Sequence, residues 1–223
     1  SSPNHINRKR NQINKKWYLG RYCSHNFKVD GDRATKGNDS KTDRLTSTMK
    51  KIFLLLTLAT ALHCVAQEKH ATKNASGDLV GITQRSDFDQ QPYTKWFQRY
   101  SDSYTVDVKT AKKLKKALKD VTIKAFMGTW CGDSKRETPR FYKVLEAAKF
   151  NLDHLEMITV NRGKKTPDNL QKDLNIFRVP TFIFYKKGEE IGRYVEYPRV
   201  SLEQDILAIV TDKEYKHSYD RSK

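Results

Sequence analysis

From residue 105 onward the chain switches between two periods of hydrophobic recurrence. Residues 109–119, KTAKKLKKALK, set Ala111, Leu114, Ala117 and Leu118 on one helical face and the lysines on the other. Residues 121–128, VTIKAFMG, change to period two: Val121, Ile123, Ala125 and Met127 alternate with Thr122, Lys124 and Phe126, which predicts a strand. The turn TWCGDS follows, and residues 134–149 return to helical spacing with Phe141, Val144, Leu145 and Ala148 as the apolar stripe. LEMITVNR, residues 155–162, reads as the next strand. Thr166 before Pro167 is a cap followed by a first-turn proline, and it predicts a short helix ending near Leu174. Val179-Pro180-Thr181 then opens the apolar run TFIFY, KKGEE supplies a hairpin turn into IGRYVE, and Ser201 with Gln204 forms a capping box for a helix through Val210. Strand, helix, strand, helix, hairpin, helix predicts an α/β fold with a mixed sheet covered on both faces.

The flanks read differently. In residues 67–104, Tyr93, Trp96, Phe97 and Tyr100 recur at helical spacing and predict an extra helix packed on the 105–215 domain as an N-terminal extension. Residues 216–223, and the chain from Asp212 generally, are polar and predict a frayed tail. Upstream, Met49-Lys50-Lys51 precedes the apolar run 52–62 and the small residues around Cys64-Val65-Ala66. That order is the layout of a secretory signal over 49–66, cleaved after Ala66 to leave Gln67 first, and it predicts an exported, periplasmic or envelope protein. The competing reading is a membrane anchor, against which residues 52–66 as a helix would span only about 22 Å of roughly 30 Å of hydrocarbon; on the signal reading no stable membrane insertion is expected after cleavage. His63 before Cys64 does not suit a lipoprotein signal. Residues 1–48 have no helical or strand period and are rich in Asn, Ser, Gly and charge; they read as a disordered leader or an over-extended gene model.

Charge divides along the same lines. The formal net charge is +17, yet residues 1–48 carry 11 basic and 4 acidic side chains, and the chain from Gln67 onward carries 30 and 22. Much of the remaining excess lies on the solvated face of residues 109–119, so nucleic acid is not an expected partner. Of three cysteines, Cys23 falls in the leader and Cys64 in the signal, which leaves Cys131 as a lone thiol in the exported form. The histidines His5, His25, His63, His70, His154 and His217 show no ligand spacing, so the reading assigns neither metal nor cofactor.

Cys131 stands where a strand ends and a helix begins. There a sulfur meets the unpaired N–H groups and positive end of the helix, which favour the thiolate and make a reactive thiol. Trp130 is placed to cover one side of it, and Gly132 is expected to let the backbone turn tightly into the helix. Asp133, an anion close by, opposes thiolate formation.

These residues carry a resemblance. Trp130-Cys131-Gly132-Asp133-Ser134-Lys135 resembles the WCGPCK active-site turn of the thioredoxins, Pro139 falls where they carry a helix-kinking proline, Val179-Pro180-Thr181 resembles their cis-proline loop, and Tyr185-Lys186-Lys187-Gly188-Glu189 their hairpin turn. The resemblance covers residues 106–210. It implies a thioredoxin-like fold, a cis Pro180 lying against Cys131, and a groove at Val179, Pro180 and Thr181 where extended polypeptide binds by backbone hydrogen bonds. The elements before Val106, with the signal, look more like exported thioredoxin-like proteins of bacterial envelopes than like the short cytosolic form.

Against that pattern, Ser134 replaces the resolving cysteine, and a hydroxyl cannot release a mixed disulfide by thiol exchange. Ala125 replaces the buried acid that serves the resolving thiol, and Glu196 stands where the family usually has glycine, so a carboxylate would line the substrate site. Three readings follow: thiol–disulfide exchange or isomerisation through Cys131 alone, with protein thiols and disulfides or a small thiol as partners; a redox-inactive module holding polypeptide at the Pro180 groove; or a relic with an inert Cys131.

Overall fold

The computed structural model describes residues 70–220. Residues 1–48, expected as a leader, residues 49–66, expected as a signal with its cleavage site, and Cys23 and Cys64 lie outside the described residues.

Six strands form a mixed sheet in the order β1-β2-β4-β3-β5-β6: β1 Thr72–Lys73, β2 Leu79–Thr83, β3 Val121–Met127, β4 Leu155–Thr159, β5 Thr181–Lys186 and β6 Glu189–Val195. β3 runs parallel to β4 and antiparallel to β5, so it is central and hydrogen-bonded on both edges. Among the described residues four α-helices accompany the sheet: α1 Tyr93–Asp102, α2 Val108–Ala117, α3 Gly132–Ala147 and α4 Leu202–Val210. The period-two alternation of β3 divides the core. Val121, Ile123, Ala125 and Met127 join a large cluster with side chains from all four helices, whereas Phe126 joins Ile158, Val160, Val179 and Ile183 on the other side. Within the large cluster Phe141 of α3 stacks on Phe182 of β5 at 4.0 Å, and Phe182 on Tyr194 of β6 at 5.2 Å, which locks the helix that begins at Cys131 onto the sheet centre.

The smaller cluster shows where the pattern misled. Residues 166–174 form turns, not the expected helix, and the loop carrying Leu170, Leu174 and Ile176 covers that side of the sheet. Thr166 does cap, its hydroxyl accepting from the Leu170 amide at 2.9 Å, but Gln171 Oε1 takes the Thr166 amide and Asn169, Asp173 and Asn175 adopt positive φ. Asn and Asp visit that left-handed region readily, so each ends a helical run before it can grow.

Upstream, the aromatic stripe forms α1, and Trp96, Phe97, Phe88 and Tyr142 of α3 pack as one aromatic group. Lys143 Nζ donates to the carbonyls of Ser101 and Tyr104 at 2.7 and 2.8 Å, closing the end of α1 against α3. The strand β2 in this segment was not read from the sequence. Its apolar residues are interrupted by Gly81, at φ 123, where a Cβ would stand 3.3 Å from Ala71 Cα. Among the described residues no helix is long and apolar enough to cross a membrane.

The lysine-rich helix α2 starts on a cap that gives a test of the local physics. Asp107 accepts from the Lys109 and Thr110 amides at 3.0 and 3.2 Å and from the Thr110 hydroxyl at 2.5 Å. These bonds, the Thr110 hydroxyl foremost, stabilise the carboxylate and hold its pKa below the ordinary aspartate value. The stabilisation is present above the unfolded-state value and fades as pH falls through the lowered one. Asp107→Ala should therefore lower Tm at neutral pH, with the gap to wild type closing in acid; a gap independent of pH would contradict the cap.

Candidate active site

The last residue of β3 and the first turn of α3 fix the site. After Met127 the chain turns through Gly128, Thr129 and Trp130, the Cys131 amide donates to the Gly128 carbonyl at 3.0 Å, and Cys131 becomes the N-cap of α3 with extended φ and ψ. Thr129 Oγ1 accepts the Leu79 amide at 3.1 Å, so β2 anchors the turn from the far side. Gly132 opens the helix and has open space where a Cβ would be. The tight glycine is instead Gly128, which sequence reasoning passed over: a Cβ there would stand 2.6 Å from Trp130 Cε2. Trp130 in turn donates its indole N–H to the Val160 carbonyl at 2.9 Å, beneath the Arg162 guanidinium 5.8 Å from the ring.

The sulfur of Cys131 is half-buried, and its S–H points to the Val179 carbonyl at 3.3 Å. The Val179–Pro180 peptide bond is cis. Thr181 is buried, its hydroxyl donating to the Arg178 carbonyl at 2.7 Å, and Glu196 reaches this loop through its amide, which donates to the Pro180 carbonyl at 2.8 Å. The fold thus brings together Trp130, Cys131, Val179, Pro180, Thr181 and Glu196.

Ser134 lies one turn into α3 and is fully buried; its hydroxyl accepts the Gly128 amide at 3.2 Å. Ala125 is also fully buried. Asp133 does not face Cys131 as a bare anion: Arg136 Nη2 pairs with it at 2.7 Å, and Arg136 Nε pairs with Glu137 at 2.7 Å. Glu137 is 1% exposed and also takes Arg140 at 3.1 Å, so the first two turns of α3 carry an alternating acid and guanidinium ladder. Its effect is to hold the Asp133 carboxylate against Arg136 on the helix surface. Burial pushes the Glu196 carboxyl above its ordinary range; Arg178, Arg136 and Lys164 pull it back, and Asp133 adds to the push. Among the described residues no group of three or more His, Cys, Asp or Glu is placed to hold a metal ion.

The sequence profile described as thioredoxin matches residues 82–210, more than half of the chain. The chain belongs to the thioredoxin family. Over 89 residues it is 32% identical to a thioredoxin-like protein of Acanthamoeba polyphaga mimivirus, a match that takes in 40% of this chain and 62% of the viral one. Over 106 residues it is 26% identical to thioredoxin domain-containing protein 2 of Rattus norvegicus, covering 46% of this chain and 18% of that protein. The chain therefore spans about three fifths of the first relative and less than a fifth of the second. Among solved structures, a Pseudomonas aeruginosa protein of unknown function matches at 15% identity over 57% of this chain and 79% of that one, with a TM-score of 0.41. The X-ray structure of Fasciola hepatica thioredoxin matches at 17% identity over 46% and 89%, with a TM-score of 0.31. Membership of the thioredoxin family fits the mixed sheet flanked by helices.

The two glycines of the turn make a direct comparison. Gly128→Ala should displace Trp130 and cost about 1–3 kcal/mol in denaturant unfolding, with a changed Trp fluorescence spectrum, because the ring cannot retreat without breaking its bond to Val160. Gly132→Ala should leave both nearly unchanged. If the two variants behave alike, the turn is not packed as described.

Proposed function

We propose that this thioredoxin-family protein carries out thiol–disulfide exchange through Cys131 alone, as an isomerase or a monothiol exchanger, on polypeptide held at the Pro180 groove. The observation that supports the reading is the pairing of a half-exposed Cys131 with a buried serine at the resolving position. In the first step the Cys131 thiolate attacks one sulfur of a substrate disulfide; a bond forms between them, and the other substrate sulfur leaves as a thiolate and takes up a proton. In the second a thiol from the same substrate, or a small thiol, attacks the mixed disulfide and returns Cys131 to its thiolate. Isomerisation is then neutral in electrons, and in monothiol exchange the small thiol supplies them. Ser134 cannot perform the second step, and Ala125 offers no base to a thiol placed there.

The unpaired carbonyl and amide groups of an extended substrate would lie along Val179, Pro180 and Thr181, with Glu196 at the rim. A second reading, a module that binds polypeptide without redox turnover, uses the same groove and is favoured by the tail that already packs on Glu196. Export from a start at Met49, with cleavage before Gln67, belongs to the proposal on the order of Lys50, Lys51 and the apolar run 52–62; finding residues 1–48 on the secreted protein by intact mass would contradict that start and that cleavage.

Trapping separates the two site readings. The native protein should turn over poorly in an insulin reductase assay yet accumulate reductant-sensitive complexes through Cys131. Ser134→Cys should form an intramolecular disulfide and gain modest turnover, and Ala125→Asp added to it should raise the rate about tenfold, a figure below the range a positioned base commonly supplies. Native turnover equal to that of a dithiol reductase defeats the monothiol mechanism; no trapping, with Cys131 resisting alkylation in the folded state, leaves the binding module.

A further inference from the structure

The chain beyond α4, expected to fray, folds back onto the rim of the groove. Tyr215 donates its hydroxyl to Asp205 at 3.1 Å, and Ser218 donates to the Tyr197 carbonyl at 2.6 Å. Tyr219 is enclosed on several sides. The Arg178 guanidinium lies 5.1 Å from its ring, Phe177 meets it edge-on at 5.8 Å, Tyr197 approaches at 6.0 Å, and its hydroxyl donates to the Glu196 carboxylate.

These four contacts come from two loops that both border the site. Phe177 and Arg178 immediately precede Val179 and Pro180, while Glu196 and Tyr197 follow β6 and are tied back by the Glu196 amide on the Pro180 carbonyl. Glu196 holds a left-handed backbone at φ 65, which glycine adopts freely and glutamate does not. The backbone there does not call for glutamate, so what the side chain adds is an acceptor, with Arg178, Arg136 and Lys164 acting on it and Asp133 opposing. Phe177 and Tyr197 remain 39% and 43% exposed even with the tail in place. Two half-exposed aromatic rings, a cation over a ring face and a carboxylate at ring-hydroxyl reach are the contacts that select tyrosine over other side chains.

We propose that Phe177, Arg178, Glu196 and Tyr197 form a receptor for a tyrosine side chain on an extended polypeptide, and that Tyr219 of the chain's own tail is its resident occupant. The proposal rests on the reading of the Pro180 groove as a polypeptide site and names what that site selects. A partner segment lying along Val179 to Thr181 then engages the receptor only by displacing Tyr219. Tethered a few residues beyond α4, the tail competes at an effective concentration in the millimolar range. Selectivity for tyrosine over phenylalanine comes from Glu196, whose partly buried carboxylate loses its donor when the hydroxyl is absent.

The test uses the full chain and a sulfur-free peptide with the sequence of residues 213–220, titrated and followed by NMR chemical shifts. Tyr219→Ala should bind this peptide about tenfold or more tighter than wild type, because the tethered competitor is gone. Adding Glu196→Ala to Tyr219→Ala, or changing the peptide residue that matches Tyr219 to Phe, should weaken binding about tenfold, the equivalent of one lost hydrogen bond to a charged group. Equal affinity in wild type and Tyr219→Ala, no binding to either, or undiminished binding of the Phe peptide each overturns the proposal. The peptide has no thiol, so the result is independent of disulfide exchange: tight binding beside an inert Cys131 upholds the receptor and sinks the exchange reading, and a reactive Cys131 without peptide binding does the reverse.

Discussion

The Ser134 hydroxyl accepts the Gly128 amide in a wall closed to water, and that bond joins the first turn of α3 to the end of the strand that feeds it. A buried amide left without an acceptor is costly, so the turn between them is held to one geometry. Within that geometry Cys131 must cap the helix and its sulfur must face the Val179 carbonyl. The stacked rings of Phe141, Phe182 and Tyr194 hold the helix from behind, and the cis-proline loop enters the same strand, β5, that carries Phe182. On the proposed monothiol reading, Ser134 therefore has two consequences: it holds the turn in one geometry and offers no second sulfur at that position.

Charge around the sulfur is arranged by the same helix. Asp133, Arg136, Glu137 and Arg140 alternate on the first turns of α3 and neutralise one another, with Glu137 as the buried hinge of the ladder. Exposed ion pairs stabilise little, but one anchored on a buried carboxylate fixes where its outer members stand. Arg136 is thereby kept beside Asp133 and within electrostatic reach of Glu196 across the groove. The site presents compensated charge on one wall and an acceptor with raised proton affinity on the other.

Much of this was legible because it rests on local rules. Period-two alternation placed β3, helical stripes placed α2 and α3, and Ser201 with Gln204 placed the start of α4, each within a few residues of its observed limits. Cys131 at a strand-to-helix junction follows from the same pattern. What escaped depends on contacts between distant segments. β2 gains its definition from pairing with β4, and Gly81 within it blurs the alternation. The stretch after Thr166 satisfies helix-start rules, yet Asn169 and Asp173 adopt left-handed backbone, a choice decided by side-chain amides and packing on Phe126 and Ile183. Gly128 could have been suspected from its place two residues before a tryptophan. The partner of Asp133 was legible in principle, since Arg136 stands three positions along a helix. The tail could not be read at all: its polar composition hides a tyrosine whose partners lie more than twenty residues upstream.

The monothiol mechanism proposed for Cys131 requires that no other group of the protein resolve its mixed disulfide. Its most direct test is the lifetime of a preformed mixed disulfide between Cys131 and a peptide carrying one cysteine, followed by mass spectrometry with external thiol removed. The adduct should persist unchanged for hours and be discharged at once when a small thiol is added. Release of the peptide within minutes in the absence of any added thiol would contradict it.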